Sequence, residues 1–262
     1  MTKTIFITGS TDGIGLLTAK KLAAAGHKVL LHGRNTTKLE AAAAEVGGDV
    51  ETYAADLSDL TAVRELAADV RANHAQLDVL INNAGVLKAP KPVLGNGQDI
   101  RFVVNTLAPF LLTKLLMPII PVTGRVVNLS SAAQAPVNLE AIGGNVPLAD
   151  MDAYAQSKLA ITIWTREWVK SLPHGPLMVA VNPGSLLASK MVKEGFGVAG
   201  NDLSIGADIL VDAALGARFA QASGAYFDND SGVFADPHAA ALDPDHAKDV
   251  MTAVTRMIGQ TG

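Results

Sequence analysis

The residues whose types and spacing best fit chemistry are Tyr154 and Lys158, in the run Tyr154-Ala155-Gln156-Ser157-Lys158. Side chains four apart on a helix share one face. A phenol titrates at about pH 10, which makes it a poor acid–base catalyst at neutral pH. A nearby ammonium favours the phenolate and lowers that pKa. The pair therefore reads as a proton donor with its tuner; the plain alternative is a pair on the surface. Its place in the chain adds weight, because it follows an apolar strand, Val126-Val127-Asn128-Leu129, that runs into two small hydroxyls, Ser130 and Ser131.

A second stretch with chemical content is the turn Thr8-Gly9-Ser10-Thr11-Asp12-Gly13-Ile14-Gly15, set between a short apolar run and a helical one. Glycines let a backbone turn tightly and approach a pyrophosphate. The helix beyond offers free N–H groups and the positive end of its dipole. Gly9 to Gly15 are thus candidate cofactor residues, the alternative being an ordinary tight turn. The order Thr-Gly-x-x-x-Gly-x-Gly differs from Gly-x-Gly-x-x-Gly and resembles the short-chain dehydrogenase/reductase family. Asp56-Leu57, Asn82-Asn83-Ala84-Gly85 and Asn182-Pro183-Gly184 extend the resemblance over nearly the whole chain.

The resemblance implies a dinucleotide. Asp56 and Leu57 would border its adenine, Asn83, Ala84 and Gly85 its adenosine and centre, and Pro183 and Gly184 its nicotinamide. Many members carry a Thr shortly after the Pro-Gly pair; that slot holds Ala188 here, so the carboxamide contact passes to Ser189. An acid at the end of the second strand accepts from the ribose 2′-OH and repels a 2′-phosphate. Gly33 stands in that slot, followed by Arg34 and Asn35. A guanidinium grips phosphate and stacks on adenine, so NADP(H) is expected over NAD(H). By the same resemblance Ser131, rather than Ser130, orients the substrate oxygen, with Ser130 left to cap the turn. Tyr154 donates the proton, Lys158 holds the nicotinamide ribose and depresses the Tyr154 pKa, and Asn105 keeps a water in a relay to Lys158. The implied activity is carbonyl–alcohol interconversion on a small or apolar molecule. The spacing of Asn83, Asn105, Ser131 and Tyr154, with Gly224-Ala225-Tyr226-Phe227 before a last helix, is similar to the retinol dehydrogenase-like and WW-domain oxidoreductase-like branch. An idle NADP-binding regulator is the alternative, though the chain keeps both Tyr and Lys. A nucleotide-sugar epimerase or dehydratase would carry a different glycine spacing and a larger C-terminal part. The family also implies a homodimer or homotetramer.

These groups need a frame. The chain has 262 residues, 49% hydrophobic and 18% charged, enough apolar material for a substantial core. Its net charge is -4 and it has no basic run, which gives no footprint for nucleic acid. Without cysteine there are no disulfides, no thiol chemistry and no Cys-based zinc site. The six histidines lack helical metal-ligand spacing, and no metal is expected. The N-terminal apolar run is too short for a signal peptide, and the stretch from Phe102 to Ile120 is interrupted by Asn105, Pro109, Lys114 and Pro118. A cytoplasmic protein without a membrane span is expected.

Strands are expected at Ile5–Ile7, Lys28–His32, Glu51–Ala54, Val79–Ile81, Arg125–Leu129 and Leu177–Val181. Helices are expected at Leu16–Ala25, Lys38–Val46, Ala62–Asn73, Ile100–Leu116, Ala153–Ser171 and Pro244–Ile258. The strands are continuous apolar runs, as in a parallel sheet covered on both faces. Alternating strands and helices imply an α/β fold: one single-domain, doubly wound parallel sheet of the Rossmann type, residues 1–262, with helices on both faces. Residues 1–130 would serve mainly the cofactor, and 131–262 the catalytic groups and substrate. Two stretches read as loops over the site: 132–152, and the Gly-rich 188–203, a candidate lid. Trp164 and Trp168, four apart on the Tyr154 helix, read as core or subunit contacts.

Overall fold

The computed structural model describes residues 1–188, 190–197 and 199–259. Along the chain run β1 (Thr4–Ile7), α1 (Gly13–Ala24), β2 (Lys28–Gly33), α2 (Thr36–Val46), β3 (Val50–Ala54), α3 (Leu60–Asn73) and β4 (Val79–Asn82). Then come α4 (Ile100–Phe102), a π-helical turn (Val103–Leu107), α5 (Ala108–Leu116), β5 (Arg125–Leu129), α6 (Leu139–Ile142), α7 (Asp150–Lys170) and β6 (Leu177–Asn182). The chain closes with α8 (Lys190–Phe196), α9 (Leu203–Leu215), the hairpin strands β7 (Tyr226–Asp228) and β8 (Val233–Ala235), and α10 (Pro244–Gly259).

The strands form one sheet in the order β3-β2-β1-β4-β5-β6-β7-β8. All neighbours are parallel except β7 and β8. Two apolar layers bury its faces: Ile5, Ile7, Val29 and Leu31 point to one with α1 and α9, while Phe6, Leu30 and Leu80 point to the other with α3, α5, α7 and α10. The alternation along each strand explains why both layers are aliphatic and each strand reads as a continuous apolar run. This is the doubly wound sheet expected from the sequence.

Because the strands are parallel, the turns after β1 to β6 share one edge. The order reverses at β1, flanked by β2 on one side and β4 on the other, and a crevice opens there. Among the described residues, one helical stretch, Ile100–Ile119, is long and apolar enough to cross a membrane by length and composition. In this fold 72% of its window is buried inside the protein, as a core helix.

Several boundaries differ from expectation. The 132–152 stretch contains α6, capped by Asn138, whose side chain accepts from the Glu140 and Ala141 N–H groups. The 188–203 stretch contains α8. Helix α7 starts at Asp150, three residues early, with Asp150 and Asp152 in its first turn favouring the dipole. The helix through Asn105 is interrupted by a π turn centred on that residue. Helix α9 and the β7–β8 hairpin extend the fold beyond β6. Trp164 is fully buried and packs edge-on to Phe110, with Trp168 against both, so this cluster belongs to the core.

Candidate active site

A pocket of about 340 Å³ lies at the carboxyl edge, beside β5 and β6. Its polar wall holds Ser130, Ser131, Tyr154, Asn182 and Ser185. Its apolar wall holds Ile14, Leu87, Met151, Leu186, Leu187, Met191 and Val192, and no described lining side chain is charged. Pro183 and Gly184 also line it, so the turns after β1, β5 and β6 converge with Tyr154 in one place.

Tyr154 sits on the first turns of α7, with the Ser131 hydroxyl interacting with its phenol. Ser131 Oγ also accepts from the Ala133 N–H at 3.1 Å. Ser130 lines the pocket, but its hydroxyl is committed to Thr162 Oγ1 at 2.6 Å and to the Lys158 carbonyl, fastening β5 to α7. It also accepts from Gln134 Nε2 at 3.4 Å, across the turn that follows β5. Lys158 lies one helical turn beyond Tyr154 and is buried. Its Nζ donates to the Leu129 carbonyl at 2.7 Å and stands 5.7 Å from the centre of the Tyr154 ring.

The electrostatics of the pair depart from expectation. Burial pushes the Tyr154 phenol above its ordinary value, and the Ser131 hydroxyl works against that shift. Burial also pushes the Lys158 ammonium down, to about 8. At this depth desolvation outweighs an ammonium that faces the ring rather than the phenol oxygen. Depressing the Tyr154 pKa therefore needs further positive charge in the pocket.

Asn105 is used as a clamp. Its Oδ1 accepts from the Val86 N–H at 2.8 Å, and its Nδ2 donates to the Val86 carbonyl and to Ser157 Oγ. The π turn aims this amide sideways, between the chain after β4 and helix α7. The Asn105 side chain thus ties the chain after β4 to helix α7 through both its oxygen and its nitrogen. Gly85 lies beside it: a Cβ there would be 3.5 Å from both Asn105 Oδ1 and Lys158 Nζ.

The glycine-rich turn is built for a close ligand. Gly9 and Gly13 have φ of +63° and +54°, conformations that favour glycine. A Cβ on Gly15 would fall 2.4 Å from the Gly9 carbonyl oxygen and 2.5 Å from Asn83 Nδ2. The side chain of Asp12, the residue before α1, makes no cap hydrogen bond, which leaves the first N–H groups of the helix free. Ser10 and Thr11 complete the turn, and Ser10 Oγ is held by the Ile7 carbonyl. Asn83 Nδ2 donates to the Thr8 and Gly9 carbonyls, and Thr8 Oγ1 accepts from the Asn83 and Ala84 N–H groups. A side-chain-free cradle with free helix N–H groups suits the pyrophosphate of a dinucleotide.

Away from the pocket, Arg34 and Asn35 follow β2, and Asp56 and Leu57 follow β3. Arg34 is exposed and has no ion pair among the described residues. Asn35 caps α2 by accepting from the Lys38 N–H. Asp56 accepts from Ser58, and Leu57 is buried. A Cβ on Gly33 would fall 2.4 Å from Thr11 Cγ2, so the slot for an acid is filled by the turn itself. Ser189 lies outside the described residues.

The sequence reading missed His32. Its Nδ1 accepts from the Gly9 N–H at 3.1 Å, and its Nε2 faces the Ala55 carbonyl at 3.2 Å. Burial pushes its pKa down to about 4, against the Ala55 carbonyl and Asp56, which favour the charged form. It fastens the cofactor turn to the end of β3. The only signal was a polar residue in an apolar strand. Leu87, Met151, Met191 and Val192 were also missed, since aliphatic residues carry no local mark of a binding wall.

A family model described as short chain dehydrogenase matches residues 3–196, and the chain belongs to that family. Its curated relatives set it on the retinol dehydrogenase-like branch. Human retinol dehydrogenase 13 is 36% identical over 200 residues, 70% of this chain and 58% of that protein. Retinol dehydrogenase 12 of Bos taurus is 37% identical over 204 residues, 74% and 64%. Human polyprenol dehydrogenase is 36% identical over 172 residues, 61% and 52%. The chain thus spans less than two thirds of the length of these relatives. Among solved structures, an uncharacterized protein from Mycobacterium paratuberculosis superposes with a TM-score of 0.82 at 29% identity, over 98% of this chain and 93% of that one. A metagenomic short-chain oxidoreductase in complex with NADP superposes at 0.62 with 31% identity, over 81% and 90%.

Proposed function

We propose that this chain is an NADP(H)-dependent oxidoreductase that interconverts a carbonyl and an alcohol on a small apolar molecule, with Tyr154 as general acid and base. The observation that carries the reading is the meeting of the Tyr154 phenol, the Ser131 hydroxyl and the Pro183-Gly184 turn in one otherwise aliphatic pocket. A bound nicotinamide supplies or accepts the hydride. Gly9 to Gly15 and the N-terminus of α1 would hold its pyrophosphate, and Pro183 and Gly184 would flank its reacting ring.

Ser131 donates to the substrate oxygen and orients it. Tyr154 passes its proton to that oxygen in reduction and recovers one in oxidation. Lys158 sets the field beside the Tyr154 ring, its Nζ 5.7 Å from the ring centre, and would hold the nicotinamide ribose. Asn105 holds the Val86 backbone and Ser157 so that the two helices keep their spacing.

NADP(H) is supported by Gly33, by the exposed Arg34 after it, and by the NADP-bound relative. The substrate class is supported by the uncharged aliphatic wall and by relatives named for retinol and polyprenol. Oxidation of NADPH against a panel of apolar aldehydes and ketones tests the reading. Tyr154→Phe should lower turnover at least about 100-fold while NADPH still binds. Equal turnover by the variant sinks the acid–base assignment, and a preference for NADH sinks the cofactor one.

A further inference from the structure

The segment that would flank the nicotinamide, Pro183 to Leu187, is not held by its own strand alone. Leu186 has φ of +52°, a left-handed conformation unusual for a leucine, and its side chain lines the pocket. Such a conformation persists only where the surroundings over-determine it. On the far side Asn201 holds it, its N–H donating to the Leu186 carbonyl at 2.7 Å and its Nδ2 to the Ser185 carbonyl at 3.1 Å, and on the near side the turn between β7 and β8 does. There Asp230 accepts from the Ser185 N–H at 2.7 Å and from Ser185 Oγ at 2.5 Å. Asn229 Nδ2 donates to the Pro183 carbonyl at 2.9 Å. Asn182 Nδ2 donates to Asp228 at 2.7 Å and to Asp230 at 2.9 Å.

Two carboxylates accept only, so they set the rotation of the Asn182 amide. Its NH2 must face them, which turns its oxygen to the Gly184 N–H at 3.3 Å. The same hairpin reaches the other side of the pocket, where the Tyr226 hydroxyl donates to the Ser131 carbonyl at 3.1 Å. Burial pushes the Asp228 carboxyl up, but hydrogen bonds from Ser231 and Asn182 outweigh it and keep the group ionised.

We propose that Asp230 is a positioning residue for the nicotinamide end of the cofactor site: it holds the strained Ser185–Leu186 turn and the Asn182 amide, so that Pro183 and Gly184 meet the ring. This rests on the cofactor reading above. It assigns Asp230 no part in proton transfer, and its carboxylate touches neither Tyr154 nor Ser131 Oγ among the hydrogen bonds of the site. Losing it releases the Ser185 side of the turn and one of the two carboxylates that fix the Asn182 amide, while Asn201 still holds the Leu186 carbonyl.

Binding separates the two ends of the site. Affinities are measured for NADPH, for NADH and for their nicotinamide-free halves, adenosine 2′,5′-bisphosphate and AMP, with wild type, Asp230→Ala and Ser185→Ala. Asp230→Ala is expected to weaken the preferred dinucleotide about tenfold and to leave the matching half-molecule unchanged. Ser185→Ala, which removes one of the two contacts and keeps the backbone one, is expected to show a smaller loss of the same pattern. Combined with Asp230→Ala it should add little. If Asp230→Ala binds both probes like wild type, or weakens both equally, the proposal is overturned. If wild type binds neither dinucleotide, the cofactor reading falls first and takes the proposal with it. A fully additive double variant would also overturn the coupling.

Discussion

Acid should weaken this fold through His32 in a defined window. Burial keeps the ring neutral, and the Gly9 N–H on Nδ1 leaves Nε2 as the protonated nitrogen opposite the Ala55 carbonyl. Its pKa of about 4 lies below the ordinary 6.5. The unfolded chain therefore takes up this proton first as pH falls below 6.5, and stability declines until the folded chain follows near 4. Linkage converts the shift into about 3 kcal/mol over the whole window, of which about 2 kcal/mol falls between pH 7 and pH 5. His32→Asn keeps an acceptor near the Gly9 N–H and cannot titrate. Urea unfolding of both proteins at pH 7, 6 and 5, followed by the fluorescence of Trp164 and Trp168, isolates the side chain, since all other groups are shared. The stability advantage of wild type over the variant should shrink by about 2 kcal/mol from pH 7 to pH 5. Parallel curves would show that His32 is not held neutral, and would refute the account of how the cofactor turn is fastened.

Three further outcomes follow from particular contacts. Arg101 is buried and pairs with Asp99 and Asp150, joining the chain after β4 to the start of α7; Arg101→Leu should cost about 3–5 kcal/mol by leaving Asp99 uncompensated, read by thermal unfolding. Gly33→Asp must displace Thr11 and sets a carboxylate beside Arg34; NADPH affinity should fall about 100-fold relative to NADH, measured by competition binding. Lys158 has a pKa lowered to about 8 by burial. If its charge is needed beside Tyr154, carbonyl reduction should fall as pH rises through about 8, and Lys158→Met should lose at least about 100-fold in turnover together with that inflection. A flat wild-type profile from pH 7 to pH 9 would show that the Lys158 charge is not needed.

The amino-acid order by itself determined the elements whose signals are local. Aliphatic runs at β1, β2, β4, β5 and β6 announced buried parallel strands, because strands covered on both faces need apolar side chains on both. Glycines at 9, 13 and 15 announced a turn that accepts no side chain, and the spacing of Tyr154 and Lys158 announced one helical face. Residues 132–152 and 188–203 read as loops because α6 and α8 are too short for a periodic pattern to emerge.

Tertiary structure alone decided what pairs of distant residues do. That Asn105 clamps Val86, that the Ser130 hydroxyl is committed to Thr162, and how deeply Lys158 is desolvated all depend on how β4, β5 and α7 stack. His32 and Gly9 are 23 apart in the chain, and Asp230 and Ser185 are 45 apart. Periodicity along a sequence reports which face of an element is buried, but a hydrogen bond or a pKa is set by the atoms that arrive from elsewhere, and only folding brings those atoms together.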